Sequence, residues 1–169
     1  YLETAAAECA QADRESGAAP GTAASLVLDL VPDLDLGAHP RDLSEGQKLA
    51  LVLAVQLTAR PPVLLLDEPT RGLDYDAKAA LSKVLRHLAS QGRAVAVSTH
   101  DVEFVAECAD RVLVLAGGEV VADGPTADIV VASPAYAPQV SKILGGPWLT
   151  VDDVRAVLSG VAKTSGSMT

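Results

Sequence analysis

The sequence is poor in aromatic residues, cysteine and positive charge, and each shortage excludes a class of protein. Phenylalanine, tyrosine and tryptophan make up 3% of the 169 residues, so a core must be built from aliphatic side chains. The two cysteines, Cys9 and Cys108, form no CxxC pair. This argues against a zinc site or a disulfide scaffold and favours a reduced, cytoplasmic setting. A net charge of -9 makes a broad nucleic-acid-binding face unexpected.

Long apolar runs are also missing. Leu49–Leu57 and Val63–Leu66 fall short of the ~20 residues that a membrane-spanning helix needs. The chain does not open with the charged and apolar regions of a secretory signal. We therefore expect any membrane association to go through a partner protein. The 49% apolar content is enough to fill the core of about one domain.

The middle of the chain alternates between strand and helix patterns. Val63–Leu66 and Ala94–Ser98 are short apolar runs typical of buried parallel strands. Between them, Asp76–Ser90 carries leucine and valine at helical spacing on one face. This order predicts a βαβ unit and an α/β fold.

A mostly buried helix is predicted ahead of the first strand, over 44–58. Ser44 and Gln47 have the spacing of a capping box, which fixes the start of that helix. Other patterns predict an acidic surface helix over 1–13, helices over 22–31, 102–108, 126–131 and 150–158, and a hairpin of 111–115 with 119–123.

Two consecutive carboxylates, Asp67 and Glu68, follow the first strand directly. The carboxyl end of a parallel strand is where open α/β sheets bind ligands. In P-loop NTPases an acid at this place holds Mg²⁺ on the nucleotide phosphates, and the next acid can align or deprotonate the attacking water. The pair alone is equally consistent with a strand that ends in a solvated turn.

Three further motifs could serve the same chemistry. Ser44 and Gly46 open the buried helix, so a hydroxyl and backbone amides can face an anion, although such a pattern is more often a simple N-cap. Gly72-Leu73-Asp74 follows the acids at loop distance, and Asp74 can equally be a helix cap. His100 comes just after the second strand, at the predicted sheet edge of the acids, where a lone loop histidine often has no role.

All four motifs, in this order and spacing, resemble the C-terminal half of the ATPase domain of ABC transporters. Leu43–Gln47 matches the signature motif of that family, Asp67 and Glu68 its Walker B acids, Gly72–Asp74 its D-loop and His100 its switch histidine. The resemblance implies an α/β fold: the C-terminal half of a P-loop NTPase (RecA-like) domain with the end of its helical subdomain.

The resemblance also implies cofactors and catalytic roles. The cofactors would be ATP and Mg²⁺. Asp67 would hold Mg²⁺ through water, and Glu68 would be the catalytic base. His100 would contact the γ-phosphate and the attacking water.

A partner ATPase is implied as well, because ATP in this family is sandwiched between two ATPase domains. Ser44, Gly46 and Gln47 would reach the nucleotide held by the second subunit or domain, and Asp74 would lie at that interface. A transmembrane transporter component would be the other partner, which places the protein at the cytoplasmic face of the membrane. No nucleic-acid partner is expected.

Two departures from the family pattern bear on activity. Glu45 occupies a signature position where the family usually has glycine, and a carboxylate near a triphosphate is unfavourable unless it points away. The phosphate-binding GxxxxGK[ST] loop, or Walker A motif, does not occur in the chain. We therefore expect the chain to start inside an ATPase domain and to bind ATP poorly alone.

Four segments are expected along the chain: 1–43 as the end of the helical subdomain and a connection, 44–124 as the motif-bearing core, 125–160 as a C-terminal helical extension and 161–169 as a flexible tail. Residues 133–140 and 148–151 resemble the extension of energy-coupling-factor and cobalt-type importer ATPases. This resemblance suggests a subfamily as a hypothesis only.

The leading hypothesis is the ATP-hydrolysing subunit of a prokaryotic ABC importer of the vitamin or metal energy-coupling-factor type. A second is a non-catalytic half-site that donates its signature motif to a partner ATPase. Glu45 supports this reading, whereas the intact Asp67, Glu68 and His100 oppose it. A third is a soluble superfamily member acting on nucleic acid or ribosomes, which the acidic charge and the lack of sustained heptads oppose.

Overall fold

The structure, a computed structural model, describes residues 2–132, 137–145 and 148–165, with side chains as far as residue 159. The helices are α1 (Ala5–Ser16), α2 (Thr22–Leu30), α3 (Glu45–Thr58), α4 (Tyr75–Ser90), α5 (Val102–Cys108), α6 (Thr126–Ala132), α7 (Gln139–Leu144) and α8 (Val151–Ser165). The strands are β1 (Val63–Asp67), β2 (Ala94–Ser98), β3 (Arg111–Ala116) and β4 (Glu119–Pro125). The chain divides after Ser98 into two compact units. None of the described helices is both long and apolar enough to cross a membrane.

Helices α1, α2 and α3 of the first unit pack around an aliphatic core. Ala5, Cys9, Ala23, Val27 and Ala54 are each at most 1% exposed. This core agrees with the shortage of aromatic residues. Burial raises the pKa of the Cys9 thiol, so this group stays protonated and packs as a small hydrophobe.

Helix α1 carries an inward-facing carboxylate. Asp13 is 4% exposed and accepts hydrogen bonds from the backbone N–H groups of Gly21 (2.7 Å) and Ala23 (2.9 Å). Gly21 is the N-cap of α2 and provides no side-chain cap, so Asp13 caps α2 from the neighbouring helix. The prediction of a surface helix over 1–13 is wrong for this face, because its small residues and Asp13 turn towards α2 and α3.

Strands β1 and β2 pair in parallel, with Val63 opposite Ala94 and Asp67 opposite Ser98. Helix α4 connects them and packs beside β2. The predicted βαβ unit is confirmed, and both strands end at the same edge of the sheet. This edge positions the acid pair.

The prediction that β1 and β2 are buried strands is wrong for one face. Leu64 is 6% exposed, whereas Leu65 is 74% and Val63 52% exposed. Successive side chains of a strand point to opposite faces, and α4 packs on this pair through β2. The face that carries Val63 and Leu65 is therefore open in this chain.

The second unit contains the predicted hairpin. Strands β3 and β4 pair antiparallel, with a register shift between Val114 and Leu115 and a turn at Gly117 and Gly118, both of positive φ. Helix α6 packs against α5 and β4. These elements confirm the predicted helices and hairpin between residues 102 and 131.

The C-terminal helices differ from the expectation. Helix α7 has no counterpart among the predicted elements. Helix α8 continues to Ser165, past the predicted end at Leu158 and into the segment 161–169 expected to be a flexible tail. Alanine, valine and lysine between 161 and 163 are compatible with a helix. The expected extension also includes residues 133–136 and 146–147, and the expected tail includes 166–169. These residues lie outside the part of the chain that the structure describes.

An exposed ion pair on the hairpin gives a pH-dependent prediction. Arg111 donates from Nε to Oδ1 and from Nη2 to Oδ2 of Asp123, both at 2.7 Å. The hydrogen bonds from Arg111 lower the pKa of Asp123, so the pair supports the folded state above the unfolded pKa of about 3.9 and is lost as pH falls through the folded pKa. In Arg111→Gln we expect a ¹³C carboxyl NMR titration to show a higher pKa for Asp123 than in the wild type, because the hydrogen bonds that lower it are lost. Equal values in both proteins would contradict the pairing.

Candidate functional site

The acid pair lies at the carboxyl edge of the parallel strands. Asp67 is the last residue of β1, is exposed, and lies opposite Ser98 at the end of β2. The backbone N–H of Glu68 donates to the Ser98 carbonyl at 2.7 Å, which extends the pairing of the two strands by one residue. The acids therefore begin a turn that is anchored to the neighbouring strand.

Glu68 has a strained backbone. Its φ is 46°, in the left-handed region, which costs a non-glycine residue about 1–2 kcal/mol. The hydrogen bond to Ser98 and one from Arg71 N–H to the Glu68 carbonyl (3.2 Å) hold this conformation. Residues in such regions persist where the surroundings over-determine them, and they cluster at functional sites. The turn directs Glu68 independently of the strand alternation that places Asp67.

The start of α3 has the predicted capping box. Ser44 Oγ accepts from the Gln47 backbone N–H (3.3 Å), and Gln47 Oε1 accepts from the Ser44 N–H (2.9 Å). The first-turn amides of a helix have no partner within the helix, and its dipole favours a negative charge there. Ser44 caps the amide of Gln47, and the amide of Gly46 is another in this first turn. This end of α3 can therefore receive an anion.

The signature segment and the Gly72–Asp74 turn touch each other in the first unit. A Cβ added at Gly46 would lie 3.5 Å from Ala77 Cβ, and one added at Gly72 would lie 3.4 Å from Glu45 Cγ. Asp74 Oδ1 accepts from the Ala77 N–H at 2.8 Å, so Asp74 is the N-cap of α4. The alternative reading of Asp74 as a helix cap is thus confirmed, and its place at a partner interface stays a prediction.

His100 lies in the second unit, in the turn before α5. It is exposed, and its neighbours fix the turn: Thr99 Oγ1 accepts from the Asp101 N–H (3.1 Å), and Asp101 caps α5 through the Phe104 N–H. Its approach to Asp67 and Glu68 stays a prediction.

The chemistry of the donors suits a magnesium nucleotide. Among the described residues, no group of three or more His, Cys, Asp and Glu could form an all-protein metal cage. Mg²⁺ is usually held by one or two carboxylates together with water and substrate phosphates, which matches an exposed Asp67 at a strand end. Asp67 could hold such an ion.

Some contacts of the site were not anticipated from the sequence. Lys48 Nζ lies 2.9 Å from Glu45 Oε1, and the stem of Glu45 covers Gly72. Thr70, in the turn after the acids, is 5% exposed. The i,i+3 spacing of Glu45 and Lys48 was a usable signal for the ion pair. The packing of Glu45 on Gly72 joins the start of α3 to a distant turn, and no local sequence pattern predicts it.

Sequence comparison finds relatives among transport ATPases. The chain is 63% identical over 160 residues to a protein of Streptomyces avermitilis described as an ABC transporter ATP-binding protein, covering 94% of this chain and 28% of that protein. It is 49% identical over 94 residues to the molybdenum import ATP-binding protein of Mycobacterium tuberculosis, covering 55% of this chain and 26% of that protein. It is 39% identical over 90 residues to the energy-coupling factor transporter ATP-binding protein of Methanothermobacter thermautotrophicus, covering 53% of this chain and 29% of that protein. The chain thus spans less than a third of the length of these relatives.

Structural comparison gives the same fold. An ATP-binding subunit of an ABC transporter matches with a TM-score of 0.64 at 21% identity, covering 94% of this chain and 64% of that chain. A dimeric ATP-binding cassette in a post-hydrolysis state, bound to ADP and Pi, matches with a TM-score of 0.54 at 26% identity, covering 62% and 46%. The family described as "AAA domain, putative AbiEii toxin, Type IV TA system" matches residues 12–106. Together with the four motifs and their placement, these matches show that the chain belongs to the family of ABC-type ATP-binding domains and carries part of its P-loop NTPase fold.

Proposed function

We propose that the full-length protein hydrolyses ATP as the ATP-binding subunit of an ABC importer. The observation that carries the proposal is the end of β1, where Asp67 and the strained Glu68 leave the strand beside Ser98. Carboxylates at the carboxyl edge of parallel strands suit a magnesium nucleotide. The phosphate-binding loop would come from a part of the full-length protein other than this chain.

The chain's own side chains would divide the chemistry. Bound Mg²⁺ would neutralise phosphate charge when present with ATP. Asp67 would orient water molecules at its carboxylate oxygens, and Glu68 would accept the proton of the water that attacks the γ-phosphate in line. His100 would donate a hydrogen bond towards the same phosphate. The anchored turn limits the freedom of Glu68, which favours a fixed geometry for proton transfer.

The partner would be a second ATPase subunit or domain. The capped start of α3 offers Ser44, Gly46 and Gln47 to an anion, and Asp74 begins α4 beside it. Support comes from the ATP-binding cassette of known structure with 26% identity, which is dimeric. In such an arrangement ATP would join the two domains and hydrolysis would release them. A transmembrane component would transmit this cycle, with the protein peripheral at the cytoplasmic face.

The importer assignment rests on relatives. One is named a molybdenum import protein and another an energy-coupling factor transporter protein, and each covers about half of this chain. We favour the energy-coupling-factor type because the sequences of residues 133–140 and 148–151 resemble its C-terminal extension. Membrane components would select the substrate.

A non-catalytic half-site remains the second candidate, because Glu45 interrupts the signature. Hydrolysis measured after inactivating the acid of each ATPase domain separately would distinguish the two. The proposed function predicts that loss of Glu68 removes turnover from its own site.

The direct test is phosphate release from MgATP by the full-length protein. We expect turnover in the wild type and its collapse in Glu68→Gln, with ATP binding retained. Absence of MgATP hydrolysis and binding in the wild type would overturn the proposal.

A further inference from the structure

The acidic residue of the signature segment, Glu45, lies close to Lys48 and to the turn at Gly72. Glu45 is the first residue of α3, and its Oε1 lies 2.9 Å from Lys48 Nζ. The side chain of Glu45 is 62% exposed and that of Lys48 32%. An ion pair this exposed adds little to the stability of the fold. It can still change the charge that a ligand meets at the start of α3.

The stem of Glu45 lies close to the neighbouring turn at Gly72. Gly72 has a φ of 77°, and a Cβ there would meet Glu45 Cγ at 3.4 Å and Glu45 Cβ at 3.6 Å. The methylene groups of Glu45 thus lie over a residue without a side chain. The carboxylate at the end of this stem accepts a hydrogen bond from Lys48, three residues further along α3.

An uncompensated carboxylate at position 45 would weaken anion binding at the start of α3. The amide end of a helix attracts anions, whereas a negative side chain in the first turn competes for the same amides and repels a phosphate. Pairing with a lysine cancels this charge at short range. The pair therefore leaves the helix end without the net negative charge that an unpaired Glu45 would give it.

We propose that Lys48 is a positioning residue that makes the Glu45-containing signature compatible with ATP. It holds the Glu45 carboxylate aside and offsets its charge, so that the Ser44 and Gly46 end of α3 can accept a triphosphate. The inference rests on the proposed function, because it concerns the nucleotide that this end would receive.

The test is a double-substitution experiment in the full-length protein, with Glu68→Gln present throughout to suppress hydrolysis. The probe is MgATP, and the readout is its dissociation constant by equilibrium dialysis. Lys48→Met keeps the aliphatic stem of Lys48, and Glu45→Gln keeps the stem over Gly72, so neither should disturb packing. Lys83→Met is the matched control, since Lys83 is an exposed lysine within α4.

Lys48→Met is expected to raise the dissociation constant about tenfold at low ionic strength, and less than about twofold in high salt. Adding Glu45→Gln should return the value to within about twofold of the protein with neither change, because the offending charge is gone. Lys83→Met should leave the dissociation constant for MgATP unchanged. Thermal midpoints should match throughout, which separates binding from folding.

Two outcomes would overturn the inference. If the double variant stays as weak as Lys48→Met, the lysine contacts the phosphate itself and does not act through Glu45. If Lys48→Met binds normally, the Glu45 charge is harmless. Failure of the proposed function would look different, because MgATP would then bind to none of the proteins.

Discussion

Replacing Glu68 with glutamine in the full-length protein is expected to lower the rate of ATP turnover by a factor of about 10² or more. Glutamine keeps the size and polarity of the side chain but cannot accept the proton of the attacking water. Since the backbone of Glu68 makes the anchoring hydrogen bond to Ser98, the turn should survive the substitution. MgATP affinity should therefore stay within about threefold of wild type, a difference below about 1 kcal/mol.

The matched control is Glu119→Gln, which removes one exposed carboxylate from the hairpin. Its turnover and MgATP affinity should equal those of the wild type. Steady-state phosphate release and equilibrium binding measure the two quantities separately. Turnover in Glu68→Gln that equals the control would remove Glu68 from the role of catalytic base.

The second large effect concerns stability. Asp13→Ala removes the acceptor of two charge-assisted hydrogen bonds and leaves the Gly21 and Ala23 amides without it. Ala23 is fully buried, so its N–H would stay out of contact with water and have no acceptor, which destabilises the folded state. We expect the free energy for opening the start of α2 to fall by about 2–3 kcal/mol.

Hydrogen exchange on the full-length protein measures this loss locally. Amide protection in the first turn of α2 should fall by roughly 30- to 150-fold, which is the same energy expressed as a ratio. The control Asp33→Ala removes the same charge from an exposed position and should leave α2 protection nearly unchanged. Equal protection in the two variants would show that Asp13 does not cap α2.

Elements with a strong local pattern were predictable from the sequence. The capping box of Ser44 and Gln47, the parallel pairing of β1 with β2, and the β3–β4 hairpin all appear where their residues predict them. In each, the signal lies within a few adjacent residues: a cap spacing, an apolar run or a Gly-Gly turn. The family resemblance followed from motifs of the same kind.

Features that depend on contacts distant in sequence were not predictable. Asp13 looks like one more surface carboxylate of an acidic helix, and only the packing of α1 on α2 makes it a buried cap. The exposure of Leu65 depends on which layers cover a sheet, and an apolar run does not encode that. Helix α8 shows the converse: the small and polar residues from Gly160 onwards predict a frayed tail, yet the helix continues to Ser165.

The site divides in the same way. Asp67, Glu68 and the start of α3 were found from local motifs, and their placement at a sheet edge and a helix end agrees with the prediction. The left-handed conformation of Glu68 had no signal, because glutamate rarely adopts it. Sequence alone offered Asp74 as interface residue or cap, and its hydrogen bond to the Ala77 amide identifies the cap.

We propose that the end of β1 lies on the magnesium side of a nucleotide site. This is tested by the affinity of the full-length protein for ATP with and without Mg²⁺, in the wild type, Asp67→Asn and the control Asp76→Asn. We predict that Mg²⁺ strengthens ATP binding in the wild type and control. Asp67→Asn should lower the apparent Mg²⁺ affinity by about 10- to 100-fold. If ATP binding by Asp67→Asn depends on Mg²⁺ as it does in the wild type, Asp67 does not hold the magnesium ion.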